Sequence, residues 1–374
     1  MNRIIVSMHL LLCLVIANAV FLYLKLKFNA YEQHFEPNSR EKKKKLHNNP
    51  SHPIYLLKKK IQSFFSDFTV FDHLEEVVSI QDNFDKLLVP LDHPARSPHD
   101  TYYINENFVL RTQTSAHQNQ LLTQGHHQFI VTGDVYRKDT IDKTHYPVFH
   151  QMEVVKILPH GTDALVDLKQ TLLGLIQFLY PGKAYRFLDD YFPFTSPSLQ
   201  IEVMEDGEWM EVLGAGVIHA DILKQCNIEA TGWAFGLGLD RLVMSFCGIP
   251  DIRYFWSEDD RFLSQFKNGL VKFKAYSKFP PVFKDISFWV HDYTTNREEN
   301  WIEYNNLCEI IREKGRDLIE SITLVDTYTQ TGKTSLAYRI AYRSNERTLL
   351  NEEINAIQEA IRMELATAFA ITLR

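Results

Sequence analysis

The sequence predicts an α+β protein, on three observations. Strand-like runs follow one another from "FVLRTQT" to "GWAFGLG" through polar turns, without the regular strand and helix alternation of a doubly wound parallel sheet. "ALVDLKQTLLGLIQFLY" is a clear helix beside them, closed by Pro181 and Gly182. Beyond residue 270 the order becomes strand, helix, strand, strand, helix, strand, the split βαββαβ unit of ferredoxin-like folds. The expectation is a mostly antiparallel sheet with flanking helices, followed by a smaller sheet with its own pair of helices.

Composition sets the bounds. At 374 residues, 45% hydrophobic and 23% charged, the chain is globular and long enough for two ordinary domains. A net charge of −7 excludes wholesale coating of nucleic acid, so any contact with RNA has to be local. Cys13, Cys226, Cys247 and Cys308 form no C-x-x-C pair. That leaves neither a disulfide framework nor a zinc site and fits a reducing compartment.

In chain order, "IIVSMHLLLCLVIANAVFLYL" comes first, an apolar run of about 21 residues, long enough to span a bilayer. It resembles a signal anchor more than an amphipathic, Arg-rich presequence. A wrongly chosen start codon accounts for it equally. Any membrane contact is expected through this leader alone. A polar stretch with lysines at 42–45 follows and reads as a linker or targeting spacer, so residues 1–48 are set outside the fold.

Ile54, Leu57, Ile61, Phe64 and Phe65 then share one helical face. Pro90, Pro94 and Pro98 break up the next stretch, which marks a structured loop over a site or a border. Residues 130–136 and 149–158 look like antiparallel neighbours joined by the charged loop "RKDTIDKTHYP". Three more strands lead into a helix at "GLGLDRLVMSF". Residues 49–270 are thus expected as one domain and 271–374 as the other. In the second, Ile354, Ile357, Ile361 and Leu365 line one face of the last helix.

"TGWAFGLGLDR", residues 231–241, needs a separate account. A dinucleotide fingerprint requires G-x-G-x-x-G, but position 241 is arginine. A phosphate loop requires G-x-x-x-x-G-K-[ST], and the one GKT, Gly332, Lys333 and Thr334, lacks the earlier glycine and reads as a hairpin turn. What the segment does offer is a backbone against which a nucleotide can lie, with Arg241 placed to fork onto phosphate oxygens.

Activating a carboxylate with ATP takes cations on the phosphates, a flat slot for adenine and a closed pocket for the acid. "GDVYRKDTIDKTHYPVFHQME" supplies Arg137 at a strand end, and Phe149, Gln151 and Glu153 on one face of the returning strand. An aromatic, an amide and a carboxylate side by side suit adenine and an ammonium group.

These residues resemble class II aminoacyl-tRNA synthetases, whose second motif is "VYRKD...FHQME" here and whose third is "GLGLDR". "TSAHQ", "YFPFTSPS", "EWMEVLGAG" and "IPDIR" bring the resemblance to the phenylalanyl-tRNA synthetases. "KFPPVFKDISFWV" opens a module similar to the anticodon-binding domain of their single-chain organellar form. The resemblance spans roughly residues 50–374.

It implies ATP as substrate with Mg2+ and no zinc, and phenylalanine and tRNA(Phe) as partners of a monomer. It places Arg137 on the α-phosphate and the amino acid carboxylate, and Arg241 on the terminal phosphates. His145 is expected on phosphate, Phe149 on adenine, and Glu211 is the candidate magnesium ligand. Ser115, Ala116, His117, Gln118, Arg137, Gln151 and Glu153 are expected around the amino acid. Phe192 and Phe194 would wall its side-chain pocket edge-to-face, with Ala234 setting the depth and Phe235 beside it.

Two departures stand out. Gln113 occupies the place of the usual histidine in the family's "HTS", and Asp240 replaces the usual glutamate before Arg241, where it keeps the charge and serves structure. For either arginine alone an ordinary salt bridge is the simpler reading; both motifs in order favour function. The histidines from His117 to His160 show no metal-ligand spacing. Arg339, Arg343 and Arg347 are candidates for anticodon phosphates, and a solvated face explains them equally well. Gln113 leaves room for a catalytically silent tRNA-binding paralogue, and a third reading is the catalytic subunit of a two-subunit enzyme. Location is expected in the mitochondrial matrix, or in a plastid reached through the secretory-type leader.

Overall fold

In the computed structural model the described residues are 44–257, 259–275, 279–291, 304–330, 333–369 and 371–374. The apolar leader lies outside them. Lys45–Arg374 form one compact unit. The expected spacer is slightly too long: Leu46–Asn48 form a short 3-10 turn in which Leu46 and His47 are buried. A lone leucine in a lysine run carries no periodicity, so no pattern marked it.

Helix α1 (Pro53–Phe64) starts at a proline, and the His52 ring accepts the Ile54 N–H at 3.3 Å. Its Ile54, Leu57 and Ile61 are fully buried, each stabilising by about 1.5–3 kcal/mol. Strand β1 (Thr69–Phe71) and the two-stranded pair β2 (Val77–Ser79) and β3 (Phe108–Leu110) follow. Then come β4 (Gln128–Tyr136), β5 (Val148–Ile157), helix α2 (Ala164–Leu179), β6 (Tyr185–Asp190), β7 (Thr195–Glu205), β8 (Glu208–Ile218), β9 (Gly232–Gly238) and helix α3 (Leu239–Cys247). The large sheet runs β1-β4-β5-β9-β8-β7-β6. Only the β1–β4 pair is parallel; every other pair in it is antiparallel.

The C-terminal part is β10 (Val282–His291), α4 (Tyr304–Gly315), β11 (Ile319–Gln330), β12 (Lys333–Tyr342), α5 (Asn351–Ala368) and β13 (Ile371–Leu373), with sheet order β11-β12-β10-β13. Phe288 and Ile340 of the sheet pack with Leu307 and Ile311 of α4 and with Ile354, Ile361 and Leu365 of α5. Lys333 opens β12 opposite Gln330, at the end of a hairpin.

The two sheets are joined at the loop between β4 and β5. Ile141 of that loop belongs to the C-terminal core, and Tyr146 donates to Asp317 at 2.8 Å. Arg253 is buried against Asp251 and donates to the carbonyls of Asp317 and Arg343 at 3.0 and 3.1 Å. Arg339, Arg343 and Arg347 are paired with Asp285, Glu320 and Glu353. A phosphate at any of them has to compete with a carboxylate already in place.

Candidate active site

The site follows from where the large sheet has glycine. Residues opposite one another in antiparallel strands share a face. Gly133, Gln151 and Gly238 form one such row, and Val131, Glu153, Gly236 and Gly214 the next. Phe129, Val155, Ala234 and Gly216 form a third. With so few side chains in these rows, the sheet carries a trough, which opens into a cleft of about 1020 Å³. That is room for a nucleotide and an amino acid together.

The glycines also seat the walls. A Cβ on Gly214 would come 2.6 Å from Phe192 Cζ, and one on Gly216 would come 2.5 Å from Thr195 Cβ. Phe192 and Phe194 lie on the cleft with their rings nearly parallel, 17° apart at 5.8 Å. We expect Gly214→Ala to displace Phe192 and lower kcat/KM for phenylalanine on the order of 10²-fold, as misplacing a binding wall by about 1 Å does. On the expected roles, with Phe192 at the amino acid and Arg241 at the phosphates, KM for ATP should stay within about twofold.

Of the expected residues, the cleft gathers Ser115, Arg137, His145, Phe149, Gln151, Glu153, Phe192, Phe194, Glu211, Ala234 and Arg241. Arg137 stands at the end of β4. Its Nε donates to the Thr112 carbonyl at 3.0 Å, and its guanidinium lies over the Phe149 ring, 5.3 Å from the centroid. Arg241 sits in the first turn of α3, exposed, with neither a hydrogen bond nor an ion pair among the described residues. His145 is held by Asp142 at 2.7 Å. Glu211 is exposed on the cleft. It lies opposite Glu202 in register, and an exposed carboxylate of this kind could serve as one of the one or two protein ligands that magnesium takes.

At the closed end of the cleft Glu153 is buried, and its Oε1 accepts the Ser115 hydroxyl at 2.6 Å. Its Oε2 has no partner. Burial pushes the carboxyl up to about 7, against the pull of the Ser115 hydrogen bond. Gln151 accepts the Thr114 N–H at 2.9 Å, which points its amide nitrogen toward Gly236. Gln113, at the departure from the usual histidine, borders the cleft and donates to the Asn83 carbonyl at 3.4 Å.

Three expected residues, Ala116, His117 and Gln118, are not on the cleft lining. Ala116 packs in the core with Leu121 and Val131. His117 is buried with its Nε2 2.9 Å from Arg111 Nη1, and its pKa is lowered to about 4 by burial and that guanidinium. Phe235 borders the cleft as expected, but its ring stacks on Trp233 at 5.8 Å and lies beside Phe65. Residue spacing alone did not separate the two faces of β9. Gln118 is buried, and among the described residues both polar atoms of its amide lack a partner.

Arg111 is the residue that sequence reasoning missed. Fully buried, it donates to the Asp134 carbonyl at 2.7 Å, and its guanidinium fills the space over Gly133. A single arginine after a short strand gives no pattern that distinguishes it. Asp240 is structural, as expected: it accepts the His150 backbone N–H at 2.6 Å and sits 3.0 Å from His150 Nδ1, fastening the start of α3 to β5.

A nucleotide trough laid on an antiparallel sheet, with an arginine on the strand and another on the following helix, is the architecture of class II aminoacyl-tRNA synthetases. Residues 37–266 match the family described as tRNA synthetases class II core domain (F), and residues 277–374 match the ferredoxin-fold anticodon binding domain. The phenylalanine–tRNA ligase, chloroplastic/mitochondrial, of Arabidopsis thaliana is 47% identical over 88% of this chain and 80% of its own length. The mitochondrial phenylalanine–tRNA ligase of Dictyostelium discoideum is 42% identical over 88% and 87%. That of Mus musculus is 41% identical over 85% and 80%. The chain belongs to the phenylalanine–tRNA ligase family, with core and anticodon-binding module in one polypeptide.

Proposed function

We propose that this chain activates phenylalanine with ATP and transfers it to tRNA(Phe) for translation in an organelle, the mitochondrial matrix being the favoured location. The observation that carries this reading is the pair of unmet charges in one cleft. Arg241 and Glu153 Oε2 both line the cleft, and neither has a partner among the described residues. The first suits phosphate and the second an ammonium group, so the cleft is complementary to two substrates at once.

The phenylalanine ammonium sits on Glu153. Its ring enters between Phe192, Phe194 and the Cβ of Ala234. Adenine lies on Phe149, and Arg137 spans the α-phosphate and the amino acid carboxylate. A carboxylate oxygen attacks the α-phosphorus, the bond to the bridging oxygen breaks, and pyrophosphate leaves into the field of Arg241. Glu211 would hold a magnesium ion, which would supply further neutralisation of the leaving group. By resemblance, the 2′-hydroxyl of the terminal adenosine of tRNA then takes the phenylalanyl group and displaces AMP.

Purified full chain should catalyse phenylalanine-dependent exchange of pyrophosphate into ATP. Binding of tRNA without exchange would leave the silent paralogue as the reading, and sedimentation of active protein as a monomer separates the single-chain form from a subunit. Ala234→Gly is expected to admit para-substituted phenylalanines, because Ala234 is a side chain on the trough floor between Gly216 and Val155. An unchanged range of activated amino acids would move the pocket elsewhere. An apolar pocket rejects an added hydroxyl by only about 10²-fold, so some activation of tyrosine should be measurable.

A further inference from the structure

On the face of the large sheet opposite the cleft, three buried side chains converge. His47 comes from the turn ahead of α1, Asp134 from β4 and His150 from β5, the last two directly opposite one another in register. All three are at most 1% exposed. His47 Nδ1 lies 2.9 Å from Asp134 Oδ1, and His150 Nε2 lies 3.3 Å from the same oxygen. All three atoms lie within 4.8 Å of one another. Yet among the described residues His47 Nδ1, Asp134 Oδ1 and His150 Nε2 make no well-aligned hydrogen bond, and the nearest lysine, Lys45, stands 3.9 Å away from the other oxygen, Asp134 Oδ2.

The outer nitrogens determine what the inner ones carry. His47 Nε2 faces the Asp72 carbonyl at 3.3 Å, and a carbonyl only accepts, so that nitrogen bears the hydrogen. His150 Nδ1 faces the Asp240 carboxylate at 3.0 Å, with the same consequence. In the neutral rings, Nδ1 of His47 and Nε2 of His150 are therefore bare and aimed at a carboxylate oxygen. Bare nitrogens facing a carboxylate oxygen inside a protein repel it unless a positive charge, either a ring proton or a metal ion, sits among them.

We propose that His47 Nδ1, Asp134 Oδ1 and His150 Nε2 are the protein ligands of a structural divalent transition-metal ion, zinc being the best match, with water as the fourth ligand. Bonds of about 2.0–2.1 Å to nitrogen and oxygen put tetrahedral ligand atoms about 3.3 Å apart. The two contacts to Asp134 Oδ1 stand close to that spacing. The outer contacts repeat the second shell of metal-bound histidine, a carboxylate on one ring and a backbone carbonyl on the other. The Trp256 ring stacks over His150, 5.8 Å between centroids, and closes the site on that side.

The ion would tie three separate pieces of chain together. His47 brings in the segment ahead of α1; His150 lies between the cleft residues Phe149 and Gln151; Asp240, holding His150, immediately precedes Arg241. The metal therefore positions both nucleotide-binding arginine segments from behind without reaching ATP. His47 lies outside the stretch of histidines, 117 to 160, from which no zinc is expected.

Cobalt tests this directly. Chelator-stripped full chain, free of ATP and Mg2+, should take up one equivalent of Co2+ with the visible absorption of a tetrahedral site, discharged by one equivalent of Zn2+. His47→Gln should lose the band. His47→Cys should keep the metal and add a near-ultraviolet thiolate-to-cobalt band, a positive signature that survives even if His47→Gln folds poorly. His160→Gln, on an exposed residue, should change nothing. A colourless wild type at stoichiometric cobalt overturns the proposal and leaves the cluster held by protons. A band unchanged in both His47 variants overturns it too, by placing the metal elsewhere.

Discussion

Replacing Arg241 with alanine is expected to reduce phenylalanine-dependent pyrophosphate exchange by 10²-fold or more while leaving tRNA binding and thermal stability essentially intact. The size of the loss comes from charge that appears during reaction. Removing one preorganised donor to such charge typically costs about 2.7–4 kcal/mol, and a guanidinium contributes a full charge besides. Stability is spared because Arg241 is exposed and has no partner among the described residues. It also stands in the first turn of α3, where a cation opposes the helix dipole, so its removal is neutral or stabilising by about 0.3–1 kcal/mol. A Tm equal to or slightly above wild type, together with lost exchange, is therefore the expected pair. Lysine should rescue poorly, since it is a point charge and not a planar fork. Wild-type exchange in Arg241→Ala would remove this residue from the phosphate site, and loss of tRNA binding would show that it acts through the fold.

The fold was legible because its signals are long. α2 and α5 carry several turns of helical period, and β4 and β5 are paired runs around a charged loop. The site was legible as far as it lies on those strands: once β5 is a strand, Phe149, Gln151 and Glu153 must share a face. What remained hidden depends on tertiary approach. That the Phe235 ring stacks on Trp233 while its neighbour Ala234 lies on the trough floor is decided by which face of β9 is covered, and both positions are apolar. Ala116 and His117 follow Ser115 in sequence but turn away in a single 3-10 turn. Arg111 and His47 reach their partners across 23 and 87 residues of chain, distances over which no local pattern carries information. Gly214 came with a motif, but its reason, the seat of Phe192, is a contact between non-neighbouring segments.

Glu153 joins stability, pH and substrate binding in one group. Its carboxyl stands at about 7 against an ordinary 4.5, through burial. Between those two values the folded protein holds a proton that the unfolded chain has released, so stability falls as pH rises from about 4.5 through 7. Above 7 the whole penalty is present, roughly 3 kcal/mol. Glu153→Gln removes it, and a Tm several degrees above wild type is expected at pH 8, shrinking toward zero near pH 4.5. Function moves the other way. The ammonium of phenylalanine binds the ionised carboxylate, so below pH 7 binding must first expel a proton. Wild-type KM for phenylalanine should therefore rise about tenfold for each pH step below 7 and level off above it. In Glu153→Gln the KM should be pH-independent over this range and about 10²-fold higher at pH 8, where an ion pair on a buried group has been lost, while the KM for ATP stays unchanged. A wild-type KM that is flat from pH 6 to 8 would mean the ammonium sits elsewhere in the cleft. A variant that is less stable than wild type at pH 8 would mean that Oε2 has a partner in the free protein. Together the two profiles decide whether this carboxylate is kept buried and unsatisfied for the sake of its substrate.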